Sequence, residues 1–250
     1  MERRQFLRLA SGWVGGIAAS QVGMSWAQSQ GLTLQWLNHS CVAFQSGGQR
    51  ILVNPFQPIG CTAGYPAPAI EASVVLLSSQ LLDEGSLESV PGDPRVVFEP
   101  GDYDIDGLKL KGVRMDHDTN NGFRFGTNVA WRWTMAGVDI LHLGGAAAPL
   151  TREQEILLAR PDVMLIPVGG GPKNYDPEGA IAAIRTLKPK LVIPTMFRTA
   201  GAAESCPLTA VDAFLSRMGS TPVNRPSGDR IALAPAQFDA EGMQITVFAS

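Results

Sequence analysis

The chain is poor in several things that would declare a function outright. Lysine and arginine number 20 against 23 aspartates and glutamates, a net charge of −3, so no basic surplus marks a nucleic-acid footprint. Its 3 cysteines, Cys41, Cys61 and Cys206, are an odd count, and none are spaced as a Cys-x-x-Cys metal or redox pair. No Gly-x-Ser-x-Gly elbow surrounds Ser78 and Ser79, so a serine-hydrolase arrangement is not supported there. Repeats and low-complexity tracts are missing too, and 45% apolar with 17% charged residues excludes a disordered chain. What remains, over 250 residues, is one globular domain with a full core.

The N-terminus stands apart. It opens "MERRQFLRLASGWVGGIAASQVGMSWAQ", with a basic start, an uncharged middle and a small-residue end. Arg3-Arg4-Gln5-Phe6-Leu7 resembles a twin-arginine export signal. Four glycines between Leu9 and Trp26 keep hydrophobicity modest, as in a leader rather than a stable membrane helix. Residues 1–27 are therefore expected to be a signal cleaved after Ala27, and 28–250 the folded domain; an uncleaved anchor is the other reading. Cleavage removes three arginines and one glutamate, taking the net charge from −3 to −5. The expected compartment is a periplasm or a thylakoid lumen, with no stable membrane span in the mature chain. Such compartments permit disulfides, so one bridge and one buried thiol are expected, with the pairing left open.

The first half of the mature chain reads mostly as strands. Thr33–Leu37, Cys41–Phe44 and Arg50–Val53 are short strands, the last two joined by a tight turn at Ser46–Gln49. "VVLLSSQLLDEGSL", residues 74–87, reads as a buried strand running into a turn and a short helix. Its end, where an α/β protein usually places reactive groups, offers neither histidine nor cysteine. Val96–Phe98, Lys109–Lys111, Asn128–Trp133 and Val138–Leu141 follow as strands. The second half alternates. Thr151 and Gln154 form a capping box for a helix to Ala159, Val163–Ile166 is a strand, and Asp176-Pro177 opens a helix to Leu187. A strand at Leu191–Ile193, a helix over 208–218 and strands near Ile231 and Met243 complete an α+β pattern of sheets packed face to face with helices outside.

Three stretches together carry a family resemblance. "WLNHSCVAFQSGGQRILVNPF" resembles the opening hairpin of the metallo-β-lactamase superfamily, in particular its ascorbate-6-phosphate lactonase-like branch, which shows Gly-His-Ser and then Asp-Pro. "VDILHLGGAAA" resembles that branch's strand ending in Gly-Asp-Thr. "PDVMLIPVGGGPKNYDPEGAIAAIRTLKPKLVIPTMF" resembles its Pro-Val-Gly-Gly loop, helix and final strand ending in Pro-x-His. The likeness spans about residues 32–198 and implies a four-layer αββα sandwich with an active cleft at one edge of the sheets.

The resemblance also implies a chemistry that this sequence has largely lost. Family members hold two metal ions, usually zinc, through a His-x-His-x-Asp-His motif, a later His, a bridging Asp and a final His, and the metals activate water. The motif positions fall on Ser79, Leu81, Asp83 and Glu84; the later His is His117, the bridging Asp is Gly145 and the final His is Met196. A zinc site needs three or four converging N, S or O donors, which this set does not supply. Asn54 and Gly145 both replace a carboxylate with a neutral residue, as loss of a central cation would favour.

Candidate cleft residues are then His39, Asn54, Ser79, Gly145, Gly169, Gly170 and Met196. His39 has two readings, a ligand contact or a tie within the loop before Cys41. Gly169-Gly170-Gly171-Pro172, with Lys173 behind it, can take an anion or satisfy tight backbone geometry. Trp131 and Trp133 read as packing, and His142 as a core or sheet-edge histidine. The leading expectation is a metal-free pseudoenzyme that binds a small molecule or a protein partner. The alternative is a hydrolase of small esters or lactones with a remodelled centre at His117, Asp83 and Glu84, using zinc or manganese.

Overall fold

Alternating patterns and continuous apolar runs build two different sheets. The computed structural model describes residues 31–249; the leader expected over 1–27 lies outside them. In chain order the elements are β1 (Leu32–Trp36), β2 (Val42–Ser46), β3 (Gln49–Val53), β4 (Val74–Leu76), β5 (Arg95–Val97), β6 (Gly101–Ile105), β7 (Leu108–Asp116), β8 (Thr127–Met135) and β9 (Val138–His142). Then come α1 (Arg152–Leu158), β10 (Val163–Pro167), α2 (Pro177–Leu187), β11 (Leu191–Thr195), α3 (Asp212–Leu215), β12 (Val223–Asn224), β13 (Arg230–Leu233) and β14 (Gln244–Thr246). A 6-stranded sheet has the order β13-β1-β2-β3-β4-β5, and an 8-stranded sheet the order β12-β14-β11-β10-β9-β8-β7-β6.

The core lies between the sheets. Alternate residues Val42, Phe44, Ile51, Val53, Val74 and Leu76 pack into one cluster with Met115, Trp131, Trp133 and Ile140 of the larger sheet. Phe44 meets Trp133 edge-on at a centroid distance of 4.9 Å. The intervening residues Cys41, Ala43, Leu52, Val75 and Leu77 face the other way, against Phe56 and Tyr65. That outer layer is loop with a single 3₁₀ turn at Gly60–Thr62, while the α-helices lie along the larger sheet. β10 and β11 pair in parallel and are buried along their whole length, as a helix-covered strand must be.

Helix starts follow the sequence cues. The Asp176 carboxylate accepts from Gly179 N at 2.7 Å, with Pro177 in the first turn, and Thr151 and Gln154 cap α1 reciprocally. Two expected helices differ. The one over 208–218 shrinks to α3, because Thr209 N is bonded to Gly169 O and Arg198 N to Thr209 O, which holds 207–210 extended. The one after β4 is a single turn closed by Glu84 N on Leu81 O, and Ser86 N then bonds Pro55 O and leads the chain away. Cys61 and Cys206 form the disulfide, and Cys41 is the buried free thiol. Among the described residues no helix is long and apolar enough to cross a membrane.

Candidate functional site

The ends of β3, β4, β7, β9, β10 and β11 converge at one edge of the sandwich. Three residues there, His39, Asn54 and Met196, adopt left-handed backbone at φ 53°, 51° and 50°. Asn54 uses that turn to accept Ser78 N on its Oδ1 at 2.7 Å, which ties the end of β3 to the end of β4. Met196 N donates to His39 O at 3.2 Å and joins β11 to the opening hairpin.

The loop after β10 supplies a residue that lies outside the metal-motif positions. Lys173 Nζ donates to Asp83 Oδ1 and Oδ2, each at 2.7 Å, and to Glu84 Oε1 at 2.8 Å. His117 Nε2 lies 3.0 Å from that same Glu84 oxygen, and both side chains are fully buried. Asp83, Glu84 and His117 are thus brought together, but around an ammonium. Burial alone would push the Glu84 pKa up; Lys173 and then His117 outweigh it and hold the carboxyl well below the usual carboxylate range. Burial likewise works against the Lys173 ammonium, and Glu84 and Asp83 raise its pKa in spite of it.

The remaining expected cleft residues are interior. Gly145 N donates to Asn128 Oδ1 at 2.9 Å, and a Cβ there would fall inside contact distance of His117 Nε2 and 2.7 Å from Glu84 Oε2. The space of a bridging carboxylate is therefore filled by the His117–Glu84 pair. Gly169 packs against the Met196–Phe197 backbone, Gly170 N bonds Tyr175 O, and Met196 is buried with Cys206 and Leu208. His39 is buried, which lowers its pKa to about 4 against the pull of Glu84 and Asp83. His142 is also a core residue, lowered to about 4 by burial, with Nε2 on Ser40 O and Nδ1 accepting Gly144 N. Of the expected cleft set, Ser79 lines a surface cavity of about 440 Å³.

A family profile described as "Beta-lactamase superfamily domain" matches residues 33–196. The chain belongs to that family. Its curated relatives include a UPF0173 metal-dependent hydrolase from Methanoculleus marisnigri, 27% identical over 190 residues, covering 67% of this chain and 82% of the relative. Another, from Thermoplasma acidophilum, is 22% identical over 197 residues, covering 68% and 85%. Among solved structures, one assigned as a Zn-dependent hydrolase of the metallo-β-lactamase superfamily from Thermotoga maritima superposes with TM-score 0.70 at 28% identity, covering 87% of this chain and 98% of the other. Igni18, a metallo hydrolase from Ignicoccus hospitalis, shares the fold at TM-score 0.60 and 16% identity, covering 87% and 95%.

Among the described residues no three His, Cys, Asp or Glu side chains group so as to hold a metal ion. Lys173 takes the place between Asp83 and Glu84, Gly145 has no room for a carboxylate, and Met196 and Leu81 offer no oxygen or nitrogen. These residues do not fit a dinuclear centre.

Proposed function

We propose that this family member is an exported, non-catalytic relative of the metal-dependent hydrolases, descended from the ascorbate-6-phosphate lactonase-like branch and acting by binding a small molecule or a protein partner. The observation that carries the reading is the Lys173 ammonium bridging Asp83 and Glu84. A protein cation sits among the carboxylates at the motif positions and pairs both Asp83 oxygens and Glu84 Oε1. Delivery to a periplasm or thylakoid lumen is supported by Arg3-Arg4-Gln5-Phe6-Leu7 and by the Cys61–Cys206 bond, which an oxidising compartment permits.

The test is metal content of the purified protein after incubation with zinc and manganese followed by desalting. The expected result is far less than one metal per chain. Near-stoichiometric metal, lost in His117→Ala, would overturn the proposal and favour a hydrolase of small esters or lactones centred on His117, Asp83 and Glu84.

A further inference from the structure

The loop between β7 and β8 holds an aromatic side chain out in water. Phe123 is 89% exposed, more than any other large apolar residue among the described residues. The loop around it is braced. The Asp118 carboxylate accepts from the backbone N–H groups of Asn120, Gly122, Arg124 and Phe125 at 2.8 to 3.1 Å. Gly126 N closes on Gly122 O at 2.8 Å, and Asn121 and Gly122 turn the chain through left-handed backbone at φ 56° and 71°. Arg124 carries its guanidinium 4.8 Å from the Phe125 ring centroid. Phe123 is thus displayed by a preformed loop, so binding does not have to order it.

A recess lies beside this protrusion. Phe125, two residues on, lines the cavity of about 440 Å³ at Ser79, together with Leu81, Phe98 and Val129. Two residues of chain span at most about 7 Å, so knob and hole share one face. Phe98 is 43% exposed and Leu82, next to Leu81, is 50% exposed, which makes an apolar tract rather than a lone surface residue. The rim carries one charge of each sign, Arg114 and Glu99. Both are exposed, and neither makes a salt bridge among the described residues.

These features select a second copy of the chain as the occupant. A knob and a hole side by side on one face are both filled by a single two-fold rotation, in which each copy gives what it receives. A foreign partner would have to present its own hole and its own knob at the same spacing. The mixed rim fits the same operation. A surplus of one sign would repel its own image, whereas one arginine and one glutamate can meet crosswise. We propose that two copies of this chain associate here about a two-fold axis, each Phe123 entering the other copy's cavity beside Phe98 and Phe125, with Arg114 facing Glu99 of the partner subunit. The inference goes beyond the metal-free reading and does not lean on it, since Lys173 is no part of the cavity lining.

The experiment is sedimentation velocity of the full chain over a dilution series, with metal content measured on the same samples. The expected result is a reversible monomer–dimer equilibrium. Phe123→Ser removes the knob at an exposed position and should weaken the dimer at least about tenfold, with an unchanged circular-dichroism spectrum. Arg114→Glu and Glu99→Arg should each weaken it several-fold, and the double variant should recover it. A chain that stays monomeric at every concentration, or a dimer that Phe123→Ser leaves intact, overturns the proposal. So does a monomer that floats with phosphatidylglycerol vesicles through Phe123, which would give the tract to a membrane surface. A double variant no tighter than the single ones overturns the crossed pairing and the two-fold with it. Bound metal in a Phe123-dependent dimer sinks the metal-free reading and leaves the dimer standing.

Discussion

Lys173 carries its charge to a place where two carboxylates would otherwise face one another across buried space. Glu84 is fully buried and cannot be ionised there at neutral pH without a partner. In Lys173→Met the stem volume is kept and the charge lost, which should cost about 3–5 kcal/mol in urea unfolding at pH 7. Burial would then dominate and raise the Glu84 pKa above its unfolded value. The penalty is present above that unfolded value and shrinks as the pH falls toward the carboxylate range, so the deficit at pH 5 should be smaller than at pH 7. Asp83, Glu84 and His117 were readable as a surviving set because each kept a place in a linear motif. Lys173 was not, since it lies 90 residues from Asp83 and its sequence neighbourhood is a glycine turn before a helix. Nothing in a linear pattern says that a loop lysine reaches inward rather than into water.

At the level of elements, the loops that cover this edge are tied to one another. Gly64 approaches Gly201 so closely that a Cβ would meet its carbonyl, Tyr65 and Thr199 hydroxyls bond at 2.6 Å, and Cys61 is joined to Cys206. The bridge spans 145 residues, so opening it releases a long loop in the unfolded chain and should cost about 2–4 kcal/mol. For a chain of this size the melting temperature should fall by on the order of 10 °C in reductant, measured by circular dichroism. Thiol labelling in the folded state should still miss Cys41, whose pKa burial pushes well up. Elements with strong local signals were legible: Asp176-Pro177 opened α2, and the apolar runs at β10 and β11 became parallel buried strands. The helix over 208–218 was not. Its apolar spacing at Leu208, Val211, Phe214 and Leu215 is helical, but backbone bonds from a neighbouring loop compete for its first turn.

At the scale of the whole molecule, two buried histidines tie stability to pH. Burial lowers His39 and His142 from 6.5 to about 4, so both are neutral in the fold and bind protons more readily when unfolded. Their contribution is fully present above the unfolded value and is lost as the pH falls from about 6.5 toward 4. The depressed Glu84 carboxyl acts in the same direction below the carboxylate range. The urea midpoint should therefore be level from pH 7 to 8 and decline steadily from about pH 6.5 to 4; a flat profile through that window would contradict the buried placement of both histidines. The sandwich itself was legible because hairpin, strand and helix signals arrived in order along the chain, whereas the shape of its edge depended on side chains meeting across long separations. One consequence follows from the tethered ammonium. A dissociable ion stabilises a fold by an amount set by its free concentration relative to its dissociation constant. Lys173 is present once per molecule by covalent connection, so its share of the charge balance at this edge obeys no mass action, and dilution does not weaken it.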